Sequence, residues 1–317
     1  MRYIAGFCLV LFQFLPVSSL SGQDSAFYTD SKIIYDVCFS PNGEIIAIAD
    51  KHSVKIYDFD ERKLVNEFKG GHTDHVMAVE ISGDSTMLVS GSKDGIVVVW
   101  DLISGDILTT FNNHNGIVTS ISISSDSRYM SSGATDNVVI LYDLSNLSVI
   151  EEFRAHEDDV MVVNFSPDGK MLASGGGDSN IYMYDVIDRE IITKLKDHTD
   201  WVRDLAFDPD TAFLTSVGDD GIYFWSIADR DNMFKRRKTD NPGHWKTSIS
   251  YMGQSRTYVI STIRGIIYVI TPHSVSTKDL EIPVNKVINR PVKSIFFTIV
   301  AATRGKGVVV IPGKEFN

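Results

Sequence analysis

Four histidines recur at intervals of 42 residues: His72, His114, His156 and His198. An aromatic residue follows each one 27 or 28 positions later: Trp100, Tyr142, Tyr184 and Trp225. Aspartate comes next in three cases (Asp101, Asp143, Asp185) and Ser226 in the fourth. A fixed period of this length means that one small unit is repeated in tandem. Such a unit cannot bury a core alone and must stack on its copies.

The unit that begins at His72 shows the pattern most fully. Val76 to Ile81, Met87 to Ser90, Ile96 to Trp100 and Ile107 to Phe111 are short β-branched runs. Asp84-Ser85, Asp94-Gly95 and Ser104-Gly105 separate them. Runs of this kind between Gly, Asp and Ser read as strands joined by hairpins. The third run is almost wholly apolar, which predicts burial on both faces between stacked sheets. Ser40-Pro41-Asn42-Gly43 and Ser166-Pro167-Asp168-Gly169 stand at the same phase. There proline fixes one turn corner and glycine accepts positive φ at another. No helical periodicity of useful length appears, so the chain reads as all-β with four strands per unit.

These residues resemble the WD-repeat β-propeller family, clearly from about Ile33 to Ile227 and weakly beyond. The resemblance implies a tetrad in each blade: histidine, Ser/Thr, aspartate and tryptophan. His72, Ser90, Asp94 and Trp100 match it in full. His114, Ser132 and Asp136 match it with Tyr142 in place of tryptophan, and His156, Ser174 and Asp178 with Tyr184. A phenol does not carry the indole N–H. The tyrosine tetrads are therefore expected to lack a sound last link, and Asp94 to matter more for stability than Asp136. The fifth unit offers His198, Thr215 or Ser216, Asp219 or Asp220, and Trp225. A sixth starts near His244, with strands at Thr247–Met252, Thr257–Thr262, Ile266–Thr271 and about Asp279–Val284. A seventh reads Val292–Phe297, Ile299–Ala302 and Gly307–Ile311, one strand short. The segment from Ser25 to Asp30 belongs to no unit and is expected to supply that strand. The fold is thus a seven-bladed β-propeller of four-stranded antiparallel blades, closed by an N-terminal strand.

Residues 1–22 read as a cleaved signal peptide. Arg2 is followed by an apolar run, Pro16 and the small residues Ser18, Ser19, Ser21 and Gly22. Residues 23–317 then form the propeller, exported to periplasm or medium. The run is too short for a spanning helix, so no membrane span is expected in the mature chain. Cys38 would be its single cysteine, lying in an apolar strand as an unreactive thiol. The net charge of −11 argues against a nucleic-acid partner.

One histidine per blade does not converge on an ion, and no metal or cofactor is expected. No phosphate loop or nucleophile motif is present. Gly175-Gly176-Gly177 reads as a turn. By family resemblance, partners dock at the start of the inner strands. Those positions are His75, Met77, Ile117, Thr119, Asp159, Met161, Trp201 and Arg203, with Lys93, Thr135, Gly177 and Asp219 nearby. Glu157, Asp158 and Asp200 add acidity to the rim. Trp201 and Arg203 are the strongest candidates, since such side chains dominate interface hot spots. Replacing both is expected to cost little stability. Lys235 to Lys238 is a basic run suited to an outer edge strand. The reading is a non-enzymatic scaffold for protein or peptide partners, itself a monomer within a larger assembly. The alternatives are a small-ligand or carbohydrate sensor, favoured by an enclosed apolar pocket, and an enzyme, favoured by catalytic side chains converging in the central channel.

Overall fold

The structure is a computed structural model that describes residues 25–27, 33–209, 213–227, 237–239, 246–252, 257–271, 274–289, 298–304 and 308–312. The expected signal segment 1–22, Lys235, Arg236 and His244 lie outside the described residues. So do residues 292–297, where the sequence suggested a strand.

Seven four-stranded antiparallel sheets make up the fold, and no helix occurs among the described residues. Blade 1 comprises Val37–Phe39, Ile45–Asp50, Ser53–Asp58 and Lys63–Phe68. Blade 2 comprises Val76–Ile81, Met87–Ser92, Val97–Asp101 and Ile107–Phe111. Blade 3 runs from Val118–Ile123 to Ser148–Phe153, and blade 4 from Val160–Phe165 to Glu190–Leu195. Blade 5 starts with Val202–Phe207 and ends with Arg237–Thr239, so Arg237 and Lys238 stand on its outer strand. Blade 6 comprises Lys246–Met252, Thr257–Thr262, Ile266–Ile270 and Val275–Asp279.

Blade 7 corrects the boundaries read from sequence. Its inner strand is Val284–Asn289 rather than Val292–Phe297, and blade 6 ends at Asp279. Val284 and Val287 are apolar and fully buried, and the polar residues between them hid the strand from a simple reading of apolar runs. Thr298–Thr303 and Val308–Pro312 follow. Ser25–Phe27 supplies the fourth strand, pairing antiparallel with Val308–Val310 (Ser25 opposite Val310). An isolated bridge between Ile33 and Arg304 extends the seam. The added strand covers the outer edge of Val308–Pro312, which would otherwise be open to another chain.

The core lies between blades rather than within them. One cluster joins Ala47, Val54 and Phe68 of blade 1 to Val79, Leu88, Val98 and Trp100 of blade 2. Third strands are buried on both faces, as at Val97–Trp100, while outer strands carry exposed residues such as Lys63 and Leu64. Cys38 is a free, partly buried thiol packed against the same cluster. Each inner strand of blades 2 to 7 shifts register at its second residue, for example between Val76 and Ala78. A bulge bends a strand and re-aims its side chains. Here it sets the same rim geometry six times. Blade approach is close: a Cβ on Gly133 would lie 2.6 Å from Val160 Cγ1 of the next blade.

Candidate functional site: tetrads, rim and central channel

The tetrads form continuous hydrogen-bond chains from the aromatic residue through serine to histidine. In blade 2, Trp100 Nε1 donates to Ser90 Oγ at 2.8 Å, and Ser90 Oγ meets His72 Nε2 at 2.7 Å. Blade 5 repeats this with Trp225, Ser216 and His198, whose Nδ1 reaches Asp220 Oδ1 at 2.5 Å. Ser216 and Asp220 are therefore the members, not Thr215 or Asp219. In blade 3, Tyr142 Oη lies 3.0 Å from Ser132 Oγ, Ser132 Oγ 2.7 Å from His114 Nε2, and His114 Nδ1 3.1 Å from Asp136. In blade 4, Tyr184, Ser174, His156 and Asp178 are linked at 2.9, 2.7 and 3.0 Å.

The expected weakness of the tyrosine tetrads is thus overturned. The aromatic residue only has to share one hydrogen bond with a serine hydroxyl. A phenol hydroxyl, which can donate or accept, makes this bond in place of an indole N–H once Phe111 or Phe153 seats the ring, at 4.6 and 4.5 Å between centroids. The looser network is that of blade 2, where His72 Nδ1 stands 3.5 Å from Asp94 Oδ1 and finds no hydrogen-bond partner. Each aspartate also accepts the backbone N–H just after its histidine, as Asp178 does from Glu157 at 3.1 Å. Burial opposes ionisation of Asp178, but the hydrogen bond and charge of His156 outweigh it and hold the carboxyl at about 2. Burial also lowers His72 and His114, keeping both imidazoles neutral.

The predicted rim residues all stand at one end of the inner strands. Trp201 and Arg203 are brought together, with the guanidinium 4.5 Å above the indole centroid. Arg203 is also held by a bidentate pair with Asp219, at 3.1 and 2.7 Å. Its loss would strand a carboxylate only 6% exposed, so the expectation that Arg203 is structurally dispensable is corrected. Asp159 lies beside exposed Asp158, and burial, then that neighbouring charge, raises its carboxyl. Met161 and Met77 are partly exposed. On blade 2, His75 contacts Asp74 and its carbonyl accepts the Lys93 N–H, while the Lys93 ammonium sits 5.4 Å over Tyr35. The rim therefore has two separate arcs: an acidic, aromatic one on blades 4 and 5, and a histidine- and lysine-bearing one on blades 1 and 2.

Sequence reasoning named the central channel but not the side chains that line it. Side chains of successive inner strands staple each blade to the next. Asp36 accepts Val79 N–H at 2.9 Å, Glu80 accepts Ile123 N–H at 3.2 Å, and Ser122 accepts Phe165 N–H at 3.1 Å. Asp204 accepts Ile249 N–H at 2.9 Å and Ser248 Oγ–H at 2.8 Å. Lys286 Nζ reaches across to Asp204 Oδ2 at 3.3 Å. Its side chain is 32% accessible, as expected of a group in a narrow, water-accessible bore. Burial and then the Asp36 charge push Glu80 up to about 8. Burial disfavours the Lys286 charge, but Asp204 and Asp36 more than restore it. The available signal was the polar residue set inside an otherwise apolar inner strand, as Glu80 is in Val76–Ile81 and Asn164 in Val160–Phe165.

A ring of seven such blades, four of them (blades 2 to 5) carrying His–Ser–Asp–aromatic tetrads, defines a WD-type propeller. The sequence profile described as WD domain, G-beta repeat, matches residues 16–58, 62–101, 105–143, 147–185 and 189–226, and the chain belongs to that family. It is 34% identical over 85 residues to methylosome protein WDR77 of Xenopus laevis, 26% of each chain. It is 37% identical over 75 residues to small ribosomal subunit protein RACK1y of Oryza sativa subsp. japonica, 23% of this chain and 22% of that one. It is 34% identical over 67 residues to an intraflagellar transport protein 122 homolog of Xenopus tropicalis, 21% of this chain and 6% of the relative. The matched segments thus span about a quarter or less of the relatives' lengths.

Proposed function

We propose that the chain is a non-enzymatic interaction scaffold that docks a basic protein or peptide partner on the acidic arc of blades 4 and 5. The observation that carries this reading is Trp201, partly exposed beneath Arg203 and bonded through its backbone N–H to Asp200, with Glu157, Asp158 and Asp159 on the rim of the preceding blade. A rigid ring beside a guanidinium makes an anchor, and the surrounding carboxylates would steer a cationic segment towards it. The relatives named for the methylosome and the small ribosomal subunit support a role inside larger assemblies. Because Arg203 holds Asp219, the informative variant is Trp201→Ala alone. It is expected to weaken partner binding by about 2 kcal/mol or more while leaving the melting temperature unchanged. Affinity capture from the native envelope, with wild-type and variant side by side, measures it. Full recovery of partners by the folded variant moves the surface away from this arc.

Export through residues 1–22 is part of the proposal, supported by Arg2, the apolar run and the small residues after Pro16. Cleavage near Ser19 to Gln23 would keep Ser25–Phe27, and hence ring closure, on the mature chain. N-terminal sequencing of natively expressed protein tests this, and a retained Met1 on cytosolic protein rejects it. The channel supports a second reading, an enzyme, because Asp36, Glu80, Asp204 and Lys286 converge there. Against it, all three carboxylates already accept a backbone N–H of the following blade, which is a structural use.

A further inference from the structure

We propose that His52, Asp74 and His75 form a three-ligand site for a divalent transition-metal ion of the zinc class, tying blade 1 to blade 2. One ligating atom from each residue lies within 4.8 Å of the other two. The residues come from two elements that the backbone locks together. His52 sits in the two-residue turn between Asp50 and Ser53, whose first residue, Lys51, takes a left-handed φ of 52°. The Lys51 carbonyl accepts the Val76 N–H at 2.6 Å, which pins that turn against the start of the blade 2 inner strand. The His52 and His75 rings then stand 5.6 Å apart and nearly perpendicular. Asp74 Oδ1 accepts the His75 backbone N–H at 2.6 Å and lies 2.9 Å from His75 Nδ1, so the carboxylate orients the imidazole.

The chemistry of the donors selects the ion. Two imidazoles and one carboxylate suit zinc, copper or nickel better than calcium or magnesium, which prefer all-oxygen shells. The side chains of His75 and Asp74 are 43% and 51% exposed, so an ion can enter without opening the ring. Three protein ligands leave a coordination position for water or for a side chain of a partner. The periodic histidines do not compete, because both nitrogens of His114, His156 and His198 are already engaged by serine and aspartate, and His72 is buried. His52 stands outside the period, in the blade 1 turn that lacks the tetrad aspartate, which is why the repeat pattern gave no hint of it. The Lys93 ammonium, held over Tyr35, acts on Asp74 and is the local charge that opposes an incoming cation. The site stands on this geometry alone and does not depend on the docking reading of blades 4 and 5.

The test is zinc binding by the tag-free chain, measured by calorimetry and by metal content after equilibrium dialysis. Wild type is expected to bind one Zn²⁺ and to melt at a higher temperature in its presence. His52→Ala and His75→Ala are each expected to weaken binding by about tenfold or more and to abolish the thermal shift. Lys93→Met is expected to tighten it. No binding by wild type, or binding that survives both histidine substitutions in folded protein, overturns the proposal.

Discussion

At the scale of single residues, the tetrads show how little of the aromatic residue's chemistry the blade needs. Tyr142 and Tyr184 replace tryptophan, yet their hydroxyls complete the chain through serine and histidine to aspartate. Stability effects should therefore follow the histidine–aspartate contact and not the aromatic residue. Asp178→Ala and Asp136→Ala each leave the Nδ1 side of a buried histidine ring unpaired, at about 1–3 kcal/mol for a buried polar group. Asp94→Ala should cost less, because the His72 Nδ1 contact is already 3.5 Å long. Denaturant titration of the three variants checks this order, and a larger loss at Asp94 would contradict it. Asp178 carries a pH signature as well. Its folded carboxyl sits at about 2, below its ordinary 3.8, so its contribution is present above pH 4 and disappears as pH falls through 2. The histidine, serine and aspartate positions were legible because the period fixed them. The quality of each contact was not, because a few tenths of an ångström at Asp94 depend on packing that no spacing encodes.

At the scale of elements, the closing strand joins residues nearly three hundred positions apart, and strand counting alone pointed to it. Six units had four strands and the last had three, so the unassigned Ser25 to Asp30 had one place to go. The pairing of Ser25–Phe27 with Val308–Val310 bears this out. Deleting residues 23–27 would bare the edge of Val308–Pro312, whose Val308, Val309 and Ile311 side chains are buried. The truncated chain is expected to melt earlier and to associate through that edge. Light scattering and a thermal melt measure both effects, and a monomer with unchanged melting temperature would show that closure contributes nothing. Blade 7 was also where the boundaries failed. Its inner strand, Val284–Asn289, carries Asn285 and Lys286 between valines, because the channel needs polar groups there. A search for apolar runs passes over such a strand.

At the scale of the whole molecule, the channel sets a balance of charge across the ring. Asp36 of blade 1, Glu80 of blade 2 and Asp204 of blade 5 face the ammonium of Lys286 on blade 7. Three carboxylates cannot all ionise cheaply around one cation in a narrow bore, and Glu80 yields, holding its proton up to about 8. Its ordinary value is 4.5, so the folded chain binds more protons than the unfolded chain between these limits. Through this group, stability falls as pH rises across that window, by at most about 1.4 kcal/mol per pH unit. Glu80→Gln keeps the size of the side chain and removes the titration. Its melting temperature should therefore change less than that of wild type between pH 5.5 and pH 8.5. Lys286→Met gives the complementary result. With the ammonium gone, Asp36, Glu80 and Asp204 repel one another, so the variant should be destabilised most at high pH and partly recover as the carboxylates take up protons. Parallel melts of both variants across that range decide the matter. A pH dependence in Glu80→Gln equal to wild type would mean that another group carries the slope, and a Lys286→Met loss independent of pH would reduce the lysine to packing.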